Sequence, residues 1–216
     1  MFRRMSVALF VFMLGAAGCE SKAVPLVVQE QNQLRVDRST NAADPDDVPD
    51  VTLETMGSSF TVGTGPAAIV WDPANTVDGE YNLKASFTLE EPSDHANYYG
   101  LVFGGGDLDS SGQNYLYFLV AQNGTFILKH RANDETVHDI VGRTEHDAIT
   151  TPGDDGTSVN ALEVRVGGDE LTLLVNDIVV HTQEHAGMAS RTNGIFGVRI
   201  NHRIPSVTVS GLAASQ

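Results

Sequence analysis

Tyr115-Leu116-Tyr117-Phe118-Leu119-Val120, the pair Asn123-Gly124, and Phe126-Ile127-Leu128-Lys129-His130-Arg131 decide how this chain folds. Apolar residues alternate on both sides of a short turn: Leu116, Phe118 and Val120 before it, Phe126 and Leu128 after it. Successive side chains of a strand point to opposite faces, so a period of two marks a strand with one face on a core. Asn-Gly suits a type I′ turn, whose two central residues take positive φ, and it predicts that the runs pair as a hairpin. Counting outward from the turn sets Leu119 against Ile127, Tyr117 against Lys129, and Tyr115 against Arg131. With Leu116, Phe118, Phe126 and Leu128 on the core, Tyr115, Tyr117, Lys129 and Arg131 share the other face.

The same period runs outward through the chain. Tyr81, Leu83, Ala85, Phe87 and Leu89 alternate with Asn82, Lys84, Ser86 and Thr88. Further runs cover 99–103, 161–166, 171–175, 195–200 and 207–209, with turn residues such as Gly167-Gly168-Asp169 and Asn176-Asp177 between them. No stretch after the first 18 residues carries a helical period. Roughly ten short strands without helices predict an all-β, two-sheet antiparallel jelly-roll sandwich over residues 51–216. In such a sheet Arg199 and Asn201 lie two apart and join the face of Tyr115 and Tyr117.

The chain of 216 residues carries a formal charge of −15, from 13 basic and 28 acidic side chains. Nucleic-acid binding needs a basic surface, so that partner is excluded. One cysteine excludes a disulfide framework and a multi-cysteine zinc site. Arg3 and Arg4 precede the apolar run Val7–Leu14, which is far shorter than the ~20 residues a membrane-spanning helix needs. Gly15, Ala16, Ala17 and Gly18 then lead into Cys19. This segment resembles a bacterial lipobox, with Ala16 where a larger aliphatic residue is usual. The resemblance implies cleavage of residues 1–18 as a signal peptide, lipidation of Cys19, and anchoring in the cell envelope. It implies the outer membrane where the source has two. Residues 19–50 then read as lipid anchor and acidic spacer, with Val24–Val28 as a short strand and Asn41–Asp50 as a proline-broken acidic run.

Gly65-Pro66-Ala67, Trp71-Asp72-Pro73-Ala74-Asn75, Tyr99-Gly100-Leu101-Val102-Phe103-Gly104-Gly105, Tyr115-Leu116-Tyr117-Phe118 and Gly194-Ile195-Phe196-Gly197-Val198-Arg199 converge on one likeness. Together they resemble the concanavalin A-like lectin/glucanase superfamily, with bacterial laminin-G-like and 3-keto-disaccharide-hydrolase-like domains as the nearer likeness. The resemblance covers residues 51–212 and implies a jelly roll whose concave sheet carries a glycan or another envelope ligand. It leaves open a glycoside-cleaving enzyme and a structural or adhesion module.

The residues themselves separate these readings in part. Glycoside hydrolysis uses two carboxyls roughly 5–10 Å apart. The Glu-x-Asp-x-x-Glu pattern of the sandwich glucanases is absent, Glu90-Glu91 and Asp154-Asp155 sit in turn-like contexts, and Glu163 has Arg165 as its same-face neighbour. His138-Asp139 and Glu145-His146-Asp147 read as surface-loop residues. Asp107 and Asp109, in Asp107-Leu108-Asp109-Ser110-Ser111-Gly112, resemble the start of a calcium loop, though the bidentate Glu of such a loop is missing. Trp71 reads as core or rim. The candidate ligand strip is therefore Tyr115, Tyr117, Lys129, Arg131, Arg199 and Asn201. Tyrosine rings stack on sugar faces, and arginine and asparagine hydrogen-bond hydroxyls and carboxylates.

Overall fold

The structure, a computed structural model, describes residues 32–37 and 50–216. The expected leader, Cys19, the expected Val24–Val28 strand and most of the acidic run lie outside the described residues.

Among the described residues fourteen strands form two sheets: β1 (Gln33–Asp37), β2 (Thr52–Met56), β3 (Ser59–Gly63), β4 (Ala67–Val77), β5 (Tyr81–Glu91), β6 (Tyr98–Gly106), β7 (Asn114–Ala121), β8 (Thr125–Arg131), β9 (Val137–Glu145), β10 (Ser158–Val166), β11 (Glu170–Val175), β12 (Ile178–Glu184), β13 (Gly194–Ile200) and β14 (Ser206–Ser215). Among the described residues the one helical element is a short 3-10 turn at Gly187–Ser190. The first sheet runs β1-β4-β13-β6-β7-β8-β9 and the second β12-β11-β10-β5-β14-β3-β2. Every pairing is antiparallel. This is the jelly-roll sandwich expected from the alternation.

The hairpin that predicts the fold has the expected register. Tyr115 pairs with Arg131, Tyr117 with Lys129 and Leu119 with Ile127. Its turn differs from expectation. Gly124 alone has positive φ, at 79°, and its N–H donates to the Ala121 carbonyl at 3.0 Å. Gln122 and Asn123 therefore form a turn with right-handed central residues, and Gly124 supplies the left-handed residue that lets β8 rejoin the ladder. The two-residue turn with both φ values positive occurs instead at Asn176 (52°) and Asp177 (64°), between β11 and β12.

The inward sets of both sheets interdigitate. Leu101, Leu116, Phe118, Val120 and Leu128 from the first sheet meet Leu83, Phe87, Leu89, Leu162, Val164 and Leu173 from the second, and each is fully buried. Burying a side chain of this size stabilises by about 1.5–3 kcal/mol. Edge strands carry weaker patterns, and β9 and β12 are mostly exposed. Their alternation is therefore faint in the sequence, and neither was among the expected runs.

The largest departure lies at the N-terminal edge. Gln33–Asp37, within the range read as spacer, pairs with Ala67–Trp71 of β4 and closes the edge of the first sheet. The folded unit thus reaches back before residue 51. A chain beginning at Val51 is expected to fold cooperatively yet melt several degrees below the full chain, because it lacks this strand and the carboxylate of Asp37. Calorimetry on both chains checks this, and equal melting temperatures would show β1 to be dispensable.

Candidate functional site

Strand β7 is buried on both sides. Its inward residues enter the inter-sheet core, while Tyr115, Tyr117 and Leu119 point outward into a second apolar cluster with Ile69, Trp71, Val102 and Ile127. The outer face of the first sheet is thus more than a solvated surface. Trp71 lies in this cluster, 4% exposed.

At one end of the cluster sits a charged network. Arg199 on β13 donates from Nη1 to the Tyr115 hydroxyl at 2.8 Å and to Asp37 Oδ2 at 2.7 Å. Its Nε donates to Asn201 Oδ1 at 3.1 Å, and its guanidinium carbon lies 5.5 Å from the Tyr117 ring centroid. Arg35 on β1 donates from Nε to Asp37 Oδ1 at 3.0 Å and forms an ion pair with Asp134. Gln113 Nε2 donates to Asp134 Oδ1 at 2.8 Å, and Arg131 Nη2 donates to the Asp134 carbonyl at 2.8 Å. Lys129 turns the other way, to Asp139 at 2.8 Å on β9.

The alternation of strands builds this network. Arg199, Tyr115, Tyr117, Lys129 and Arg131 stand on outward positions of three strands of one sheet. Arg35 stands opposite Ile69 on the same face, and Asp37 follows two residues later. Burial alone would raise the pKa of Asp37, but the charge and hydrogen bond of Arg199 outweigh it and hold the carboxyl below its usual range. Burial pushes the Tyr115 and Tyr117 hydroxyls up, so both are neutral at pH 7.

All six expected strip residues lie together on this face, with differences of role. Tyr115 and Tyr117 are 0% and 6% exposed, so they form a floor and offer no open stacking platform. The cation over Tyr117 is Arg199, from two strands away, where the hairpin alone pointed to Lys129 or Arg131. Asn201 orients Arg199 rather than facing outward alone. Arg35, Asp37, Gln113 and Asp134 were missed. The alternation Gln33-Leu34-Arg35-Val36-Asp37 was the available signal for the first two.

Other expected sites come apart. Asp107 takes a left-handed turn conformation, φ 52°, and its carbonyl accepts from the Ser110 N–H at 3.0 Å. The carbonyls of Leu108 and Ser110 accept from Arg35 at 3.4 and 2.5 Å. Carbonyls occupied by a guanidinium are no calcium ligands, and among the described residues no group of three or more His, Cys, Asp or Glu is placed to hold a metal. The geometry therefore gives Asp107 and Asp109 a turn role and offers no support for calcium. His138 and Asp139 lie on strand β9 rather than in a loop, and His138 stacks on buried His130 with ring centroids 5.8 Å apart. His146 follows the other end of that strand, roughly 26 Å away by strand rise, where its Nδ1 accepts from the Ala148 N–H at 3.1 Å. These histidines form no joint site.

Asp37 and Asp134 are the two acids of the network, and Arg35 bridges them. A general acid must hold its proton near neutrality. Asp37, kept ionised by its arginines, does not.

No protein-family model and no curated protein matches this chain. Solved structures match it in fold. A carbohydrate-binding module, CBM66, from Bacillus subtilis superposes with a TM-score of 0.56 at 10% identity, over 77% of this chain and 92% of that one. The metal-free carbohydrate recognition domain of Emp46p gives 0.53 at 12% identity, over 85% and 87%. A putative glycosyl hydrolase from Parabacteroides distasonis gives 0.51 at 9% identity, over 85% and 99%. At these identities the likeness establishes the sandwich fold, consistent with the concanavalin A-like resemblance.

Asp37 and Arg199 expose only 7% and 9% of their side chains, and removing one member of such a pair costs about 3–5 kcal/mol. Asp37→Asn is expected to lose stability of that order at pH 7. Because the folded pKa of Asp37 is depressed, the pair's contribution is fully present above the ordinary carboxylate value of 3.8 and fades as pH falls below it. Denaturant titrations at several pH values should show the variant and parent converging only in that acid range.

Proposed function

We propose that this protein is a carbohydrate-binding module of the cell envelope, anchored through Cys19, and that it engages its glycan over the Arg35–Asp134–Arg131 end of the outer face. One observation carries the reading. Arg131 is half-buried and uses only Nη2, on the Asp134 carbonyl, and it stands beside the Asp134 carboxylate, whose side chain is 44% exposed, at the margin of the braced tyrosine floor. A guanidinium beside a part-exposed carboxylate needs a partner that can both accept and donate hydrogen bonds. A sugar hydroxyl donates and accepts, so it meets that need.

The surroundings support this reading. The floor of Tyr115 and Tyr117 is rigid, and Arg35 and Asp134 are cross-braced, so the polar groups are held in place before a ligand arrives. Solved structures sharing the sandwich include a carbohydrate-binding module and a carbohydrate recognition domain. The small-residue run ending at the only cysteine supports the anchor.

A glycan array probed with the full chain in detergent should give at least one ligand. Arg131→Ala should weaken that ligand roughly 10- to 100-fold, the range for a hydrogen bond to a charged group, with the melting temperature nearly unchanged. Tyr117→Ala should behave differently, costing about 3 kcal/mol or more of stability because it opens a hole beneath Arg199. Binding that survives Arg131→Ala intact would place the site elsewhere.

The anchor has its own test. Cys19→Ser should abolish metabolic fatty-acid labelling of the chain and release it from the membrane fraction. Labelling that persists in the variant would refute lipidation at this residue.

A further inference from the structure

We infer that His95 and His202 together bind one divalent transition-metal ion of the kind imidazole favours, zinc or copper, at the rim of a cleft between loops. The inference stands independently of the carbohydrate reading above.

His95 lies in the connection between β5 and β6, and His202 in the connection between β13 and β14. Their Nε2 atoms stand 3.4 Å apart and their ring centroids 5.4 Å apart, so both rings turn their Nε2 edges toward one gap. Two imidazole nitrogens held at ~2.0–2.1 Å by one tetrahedral ion stand roughly 3.4 Å from each other, so the gap has the width a shared ion requires. His95 is exposed and His202 half-buried, so an ion reaches the gap from solvent.

The neighbours of His95 put it in the metal-binding tautomer. Ser93 Oγ donates to the His95 carbonyl at 2.6 Å and accepts from Asn97 Nδ2 at 3.2 Å. The amide nitrogen of Asn97 is therefore the atom turned toward both Ser93 and His95 Nε2, the latter also 3.2 Å away. Facing a donor, Nε2 of His95 carries a lone pair and no proton, which is the form that ligates a metal. At 3.4 Å the contact between the two histidines is too long for a good hydrogen bond, and a metal–nitrogen bond to each ring replaces it.

Both loops are pinned beside the gap. The Asn201 N–H donates to the Tyr98 carbonyl at 2.8 Å and the Arg203 N–H to the Gly65 carbonyl at 2.9 Å, so His202 is held from both sides. The Ser93 N–H donates to Gln122 Oε1 at 3.1 Å, and Gln122 Nε2 donates back to the Ser93 carbonyl at 2.8 Å. Ligands fixed in advance lose little freedom when the ion arrives. His95 also lines a cavity of about 500 Å³ with Asp50, Glu91, Asp94 and Arg203, three carboxylates against one guanidinium, which draws cations toward the rim. Two protein ligands with water in the remaining positions make an open site. Imidazole nitrogens select zinc or copper over calcium and magnesium, which prefer oxygen.

The test titrates the full chain in detergent micelles with Zn²⁺ at slightly alkaline pH by calorimetry, with Ca²⁺ and Mg²⁺ run beside it. One Zn²⁺ per chain, not displaced by excess Ca²⁺, and a melting temperature that rises with zinc are expected. His95→Ala and His202→Ala should each weaken this binding about ten-fold or more and remove the zinc-dependent rise in melting temperature, with the metal-free melting temperature within a few degrees of the parent. His146→Ala, outside the pair, should keep the parent affinity. Electron paramagnetic resonance of the Cu²⁺ complex should show two imidazole nitrogens on the ion. Absence of zinc and copper binding, binding that survives both single variants, a signal from one nitrogen, or calcium binding as tightly as zinc overturns the inference. None of these outcomes bears on the glycan array.

Discussion

A guanidinium taken out of water has to be neutralised, and the outer face of the first sheet is organised around that need. Arg199 is neutralised by a carboxylate 162 residues away in sequence, on the edge strand that precedes the rest of the domain. The ion pair ties β1 to β13, and the second bond of Arg199, to the Tyr115 hydroxyl, ties both to β7. Arg35 then carries the bracing on to Asp134, beyond the end of β8. Such pairs contribute little net stability over a well-packed apolar alternative, but losing one partner is expensive. Their effect here is to set where the other polar groups stand.

The tyrosines show how such a network is supported. Tyr115 and Tyr117 tilt against each other with centroids 5.6 Å apart and fill the space beneath Arg199. Their burial leaves them protonated, so Tyr115 presents a neutral oxygen to the guanidinium. Residues that sequence alternation marks as ligand contacts thus act one layer lower. The more open polar groups are those at the margin of the floor, Arg131, Arg35 and Asp134.

Two apolar layers on one sheet explain why β7 reads in sequence as almost continuously apolar. A strand covered on one side alternates, and a strand covered on both sides does not. Leu119 and Ile127 fall on the outward period yet are 0% and 6% exposed. Apolar residues on the outward period are what a sheet covered on both faces requires. The weak alternation of β9 and β12 has the opposite origin, since edge strands bury little.

The local chemistry of the chain determined most of the central strands, the hairpin register and the shared face of Tyr115, Tyr117, Lys129 and Arg131. Each of these depends only on the two-residue period and on neighbours joined by a short turn. The turn type at Asn123-Gly124 was already less legible, because Asn-Gly serves both a two-residue turn and the left-handed end of a longer one. What only the tertiary structure decided is which distant strands lie side by side. The place of β1 beside β4, the pairing of Asp37 with Arg199, and the meeting of Gln113 with Asp134 all follow from sheet order. Sheet order is set by how two apolar faces close over one core, and no residue carries it in its own neighbourhood.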